Sequence, residues 1–230
     1  MGVDAVITGD LVKSRRIKDA DIEKVIKSLK DTFDEINREL LKGKGTFEIF
    51  RGDSFQGLIP QPELALLVAI IIRARLRTYT PSFSLAIHSK TDKPILYAYS
   101  DARIAIGVGA IRYNAERITE SQGEAFQKSG NSFDTLSKEN ERLAIATPWE
   151  NINSELAVGC KLADALISKW TASTAEAMYH HLLYGTNQKD LATKFEITQP
   201  GVHKRLVTYG NINSIQAFIS RYQELIIKAI

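Results

Sequence analysis

Ala5-Val6-Ile7-Thr8-Gly9-Asp10 and Thr46-Phe47-Glu48-Ile49-Phe50-Arg51-Gly52-Asp53-Ser54-Phe55-Gln56-Gly57 are the two runs whose reading decides the fold. The first is a near-continuous apolar run, the pattern of a strand buried on both faces. The second turns at Gly52-Asp53, a pair suited to the tip of a hairpin. Set side by side, these strands bring Asp10 and Asp53 out at one edge of a sheet. Oxygens held that way suit a hard divalent cation, Mg²⁺ or Mn²⁺, and through it a nucleotide phosphate. Each residue alone has a plainer reading, Asp10 as a turn cap and Asp53 as the residue the hairpin demands.

Working outward, Ser14, Arg15 and Arg16 follow Asp10 in a strand-to-helix loop. Donors in such a loop can meet phosphate oxygens, or simply form a solvated basic surface. Asp19 to Lys42 repeats apolar residues at helical spacing, from Ile22 and Val25 to Leu40, and Gly43 stops it. Pro62 opens a second, strongly apolar helix that runs to about Tyr79. Strand-like runs follow over 84–88 and 102–111, then a helix over 123–138 and a short strand over 142–147. The order predicts an α+β, ferredoxin-like domain, an antiparallel sheet with helices on one face. From Asn151 onward only helical patterns remain. The chain therefore divides into a sheet domain over 1–150, a connecting helix over 151–170 and an all-α domain over 171–230.

Composition narrows the setting. The 230 residues are 44% apolar and 25% charged, an ordinary soluble balance. The formal net charge of +3 lies wholly beyond residue 164, where seven Lys/Arg face four acids. That end is where a polyanion is most easily attracted. Cys160 is the only cysteine, which excludes an internal disulfide and a thiolate zinc site. The longest apolar run, Leu64 to Ile72, is too short to span a bilayer, and no signal-peptide pattern opens the chain. A cytoplasmic protein without membrane partners is expected.

The basic end contains Thr186 to Leu206, which resembles a helix-turn-helix. Asn187 or Thr186 caps a first helix with Leu191 and Phe195 inward, and Ile197 plugs the turn. Thr198 caps a second helix, with Pro200 in its first turn and Val202 and Leu206 inward. Gln199, His203 and Lys204, with Arg205 beside them, are left to meet base edges, while Asn187, Lys189 and Thr198 are placed for phosphates. Duplex DNA is the partner this pattern suggests, and such readers usually act as homodimers. A plain packing unit uses the same geometry, so both readings stand. His180 and His181 are adjacent on a helix, point to different faces, and read as packing or surface residues.

Taken together, Val6 to Arg15, Arg51 to Gly57, Arg103 to Gly109 and Gly123 to Phe126 look like the SatD family of bacterial proteins. The N-terminal part is also similar, more distantly, to the palm-like domain of class III nucleotide cyclases. That resemblance implies metal binding by Asp10 and Asp53 at a triphosphate. It also implies an Asn and, four residues on, an Arg on the helix after the core strand, where this chain has Gln127 and Asn131. Without that cation, cyclisation loses a charge-stabilising contribution typically worth several kcal/mol. Lys128 or the Arg15-Arg16 pair are the residues nearest in sequence to replace it. The expected protein is a cytosolic DNA-binding, transcriptional regulator with a cyclase-like domain that senses a nucleotide or metal. The alternative is a metal-dependent nucleotidyl cyclase or phosphohydrolase.

Overall fold

β1 (Val3–Leu11) lies at the centre of a six-stranded sheet, as its two-sided apolar pattern requires. The computed structural model describes residues 2–80, 99–113, 118–139 and 141–230, so the strand expected at 84–88 lies outside the described residues. β1 pairs antiparallel with β3 (Ser54–Ile59) on one side and β4 (Ala102–Tyr113) on the other. β2 (Thr46–Phe50) forms the expected hairpin outside β3. The order β2-β3-β1-β4 is that of a ferredoxin-like unit, with α1 (Asp19–Glu39) and α2 (Ala65–Arg77) as its connections. The short β5 (Gln122–Gly123) and the parallel β6 (Leu143–Ala146) both pair with β4.

Helices cover both faces of this sheet, where the sequence pattern predicts one. Ala5, Ile7 and Leu11 of β1 join the main apolar cluster with α1 and α2, and Phe33 of α1 stacks on Phe47 with centroids 4.6 Å apart. Val6 points the other way, against Ala125 of α3 (Glu124–Glu139), and the Thr8 hydroxyl donates to Ser129 Oγ at 3.0 Å. Gly107 makes this second layer possible. A Cβ there would sit 2.2 Å from the Ala125 carbonyl oxygen and 2.4 Å from the Ser129 nitrogen. Contact that close is a property of β4 and α3 together and leaves no periodic trace in either.

After residue 150 come α4 (Glu150–Ile167), α5 (Ala172–Tyr184), α6 (Gln188–Lys194), α7 (Gln199–His203) with π-helical turns over Lys204–Tyr209, and α8 (Ile212–Ala229). They share one apolar cluster with the sheet, through Ile152, Trp170, Met178 and Tyr222 among others. Tyr222 donates to the Pro62 carbonyl at 2.8 Å, and the Trp170 indole donates to the Gly210 carbonyl at 3.1 Å. Among the described residues no helix is long and apolar enough to cross a membrane.

A buried ion network joins the two parts. Asp101, just before β4, accepts both arms of Arg73 at 3.0 Å, Arg77 at 3.1 Å and Arg142 at 2.7 Å. Arg77 also donates to the Ser168 and Trp170 carbonyls beyond the end of α4, each at 2.8 Å. Arg73 reaches Asp164 of α4 at 2.8 Å. Burial alone would raise the Asp101 carboxyl, but the surrounding guanidinium groups outweigh it and hold it well below the usual carboxylate range.

Two outcomes follow from this packing. Gly107→Ala, which meets backbone atoms rather than a flexible side chain, should cost about 1–3 kcal/mol in denaturant unfolding. Asp101→Asn takes the carboxylate partner from Arg77 and Arg142 and leaves Arg73 only Asp164, and should cost about 3–5 kcal/mol. Because the folded carboxyl is depressed, the wild-type contribution is full above the unfolded value near pH 4 and fades as pH falls below it. Stability measured down an acid series should therefore drop less steeply in Asp101→Asn than in wild type.

Candidate functional site

Register brings the first candidate site together. β1 and β3 pair so that Asp10 lies opposite Ser54, which sets Asp53 beside it at the hairpin tip. The Leu11 amide donates to the Asp53 carbonyl at 3.0 Å and fixes that neighbourhood. β1 and β4 pair so that Asp10 lies opposite Arg103. Arg103 forks the Asp10 carboxylate, Nε to Oδ1 at 2.9 Å and Nη2 to Oδ2 at 2.5 Å. These hydrogen bonds raise the guanidinium's affinity for its proton further. The Ser14 hydroxyl donates to the Asp53 carboxylate.

A cavity of about 560 Å³ opens at this rim, lined by both Asp residues, Ser14, Arg15 and Arg103. Lys13 and Arg51 line it as well, and both hold left-handed backbone, at φ 58° and 53°. A second hollow of about 520 Å³ shares Ser14, Arg15, Arg51 and Asp53 and runs along the first turns of α1 past Ile22 and Ile26. Asp10, Asp53, Ser14 and Arg15 are therefore neighbours, as the sequence suggests. Arg16 closes the short 3₁₀ turn that follows Lys13. Lys128 is elsewhere: it pairs with Glu124 at 3.6 Å, one helical turn back on α3, and is not among the residues lining the rim cavity.

The donor set can be tested against a divalent ion. Mg²⁺ and Mn²⁺ take oxygen ligands, Mg²⁺ in near-octahedral geometry. Both Asp10 oxygens carry the Arg103 fork, and an ion there would have to displace it. Among the described residues no group of three or more His, Cys, Asp or Glu side chains is placed to hold a metal. Four cationic side chains line the cavity against two carboxylates. Arg51 and Arg103 are the rim residues that sequence reasoning does not single out. Arg103 is visible once β1 and β4 are paired, as an opposite charge directly across from Asp10.

The second candidate site is the outer face of α6 and α7. The Asn187 side chain accepts from the Lys189 and Asp190 amides at 3.0 Å, and that of Thr198 accepts from the Gly201 amide at 3.3 Å. Leu191, Val202 and Leu206 are buried, while Ile197 is half-buried in the connecting turn. Glu196, in that turn, takes φ 53°, the conformation a glycine would adopt more easily. Asn187, Lys189, Thr198, Gln199, His203 and Lys204 are all exposed. Arg205 is partly withdrawn, its guanidinium 5.3 Å from the Phe195 ring centroid. His181 hydrogen-bonds through both ring nitrogens, to the Thr186 carbonyl and to Gln216. Burial, with Lys194 and Arg75 nearby, pushes His180 down to about 4, so its imidazole is neutral where it stacks on Tyr184.

No family model matches this sequence, and no curated protein matches it. Among solved structures the chain is similar to a bacterial light-regulated adenylyl cyclase, at 14% identity and a TM-score of 0.38, over 74% of this chain and 81% of that one. A second such structure is similar at 14% identity and a TM-score of 0.37, over 63% of this chain. This chain spans 42% of that second protein.

Proposed function

We propose that this chain is a DNA-binding transcriptional regulator of SatD type, in which α6 and α7 meet duplex DNA and the sheet rim holds a ligand cavity. One observation carries the reading. Two side-chain-capped helices bury their inner faces around a tight turn and leave Gln199, His203 and Lys204 in solvent. The caps fix the second helix without using its outer side chains, so those are free to approach base edges. Gln suits an adenine edge and Lys a guanine edge or a phosphate. A homodimer would present two such heads to paired half-sites.

A second reading is metal-dependent phosphoryl chemistry, and the shared cavity of Asp10 and Asp53 favours it. It requires Arg103 to leave Asp10. It also lacks a transition-state cation on α3, since Gln127 and Asn131 are exposed there and carry no charge. Turnover of ATP or GTP with Mg²⁺ or Mn²⁺, lost in Asp53→Asn, would establish it.

Mobility shifts with genomic fragments at several salt concentrations test the regulator. Binding should weaken steeply with salt, and Lys204→Ala should lower the salt slope by about one phosphate contact. Gln199→Ala should cost about 1–3 kcal/mol and relax the preference at one base pair. No shift at low salt would overturn the reading.

A further inference from the structure

The unused chemistry of the rim cavity is cationic. Both of its carboxylates already have donors, Asp10 from Arg103 and Asp53 from Ser14. Lys13, Arg15 and Arg51 line the same cavity, are exposed, and have no ion-pair partner among the described residues. Two of the three sit on left-handed backbone, a conformation costly outside glycine that gathers at ligand clamps.

We infer that this cavity binds a phosphate-bearing small molecule directly, through Lys13, Arg15 and Arg51, with Arg103 filling the place at Asp10 that a divalent ion would need. The inference deepens the ligand-sensing half of the function proposed above and rests on it. Four cations against two carboxylates leave a formal excess of positive charge, which attracts a phosphate and opposes a metal ion. Guanidinium groups match phosphate oxygens two at a time, which a lysine ammonium does not. A volume of about 560 Å³ suits a small molecule. The adjoining hollow offers Ile22 and Ile26 as an apolar wall for the organic part of a phosphate ester. Arg103 and Asp10 then form a neutral floor, and the three free cations form the phosphate grip.

Isothermal titration calorimetry of the full chain in EDTA tests this, with inorganic phosphate, AMP and adenosine as probes. Saturable binding of phosphate and AMP, and none of adenosine, is expected. Arg51→Gly, which removes the cation yet suits the left-handed backbone, should weaken AMP binding about tenfold. Arg15→Gln should weaken it to a similar degree, and both variants should keep the wild-type circular dichroism spectrum. In a separate titration without EDTA, the freed Asp10 of Arg103→Gln should take up Mg²⁺, giving a binding heat absent from wild type. Failure of both phosphate probes to bind in EDTA overturns the inference. So does binding that appears only when Mg²⁺ replaces EDTA, or adenosine binding as tightly as AMP. Gel shifts on the same preparation separate the two claims. Lost DNA binding with AMP binding intact removes the regulator reading alone, and the reverse removes this cavity alone.

Discussion

Asp101 is the residue on which the arrangement of both candidate sites depends. Its carboxylate gathers Arg73 and Arg77 of α2 and Arg142 from before β6 in a setting where its own side chain is 2% exposed. A charge removed from water so completely is tolerable only with several donors around it. Through Arg77 it holds the residues just past the end of α4, and so sets where the C-terminal helices begin. Its main-chain carbonyl accepts from the Val12 amide at 2.8 Å, tying down the loop that carries Lys13 to Arg15. Two residues on, Arg103 enters β4 opposite Asp10. One buried residue thus ties the loop at the rim through its main chain and, through its carboxylate, anchors the start of the C-terminal helices.

The rim and the helical face differ in how they are built. At the rim the chemistry comes from strands and turns that long-range register brings together, and there Arg103 neutralises Asp10 while Lys13, Arg15 and Arg51 have no ion-pair partner among the described residues. On α6 and α7 it comes from local caps that leave the outer side chains uncommitted. The first arrangement suits recognition of a small anion by a few converging cations. The second suits a long, regularly charged surface such as duplex DNA. Contacts also join α5 to the helices of the sheet domain. Tyr179 of α5 donates to Glu35 of α1, and the Arg75 guanidinium of α2 lies 5.1 Å from the Tyr179 ring centroid. α1 also forms the wall of the hollow beside the rim.

Much of this was legible in the chain because it is local. The two-sided β1 run, the Gly52-Asp53 turn, and the Asn187 and Thr198 caps each act within a few residues, where spacing and residue type carry the information. The parts that were not legible depend on partners far away in sequence. Arg103 and Asp10 are separated by 93 positions, so no periodicity announces their pairing. Arg73 and Arg77 look like a polar end to an apolar helix, yet both are buried, because Asp101 and Asp164 meet them from elsewhere. The second helical layer was hidden for the same reason, since Gly107 gains its meaning only from the α3 backbone above it. Lys128 is paired with Glu124, one turn back on α3, a contact within a single helix.

Hydrogen exchange of the full chain with and without duplex DNA probes the central assignment most directly. Slower exchange confined to amides within residues 187–205, with the sheet rim unchanged, is the expected result. Protection on the sheet instead, or none anywhere at low salt, would contradict a regulator that grips DNA with α6 and α7.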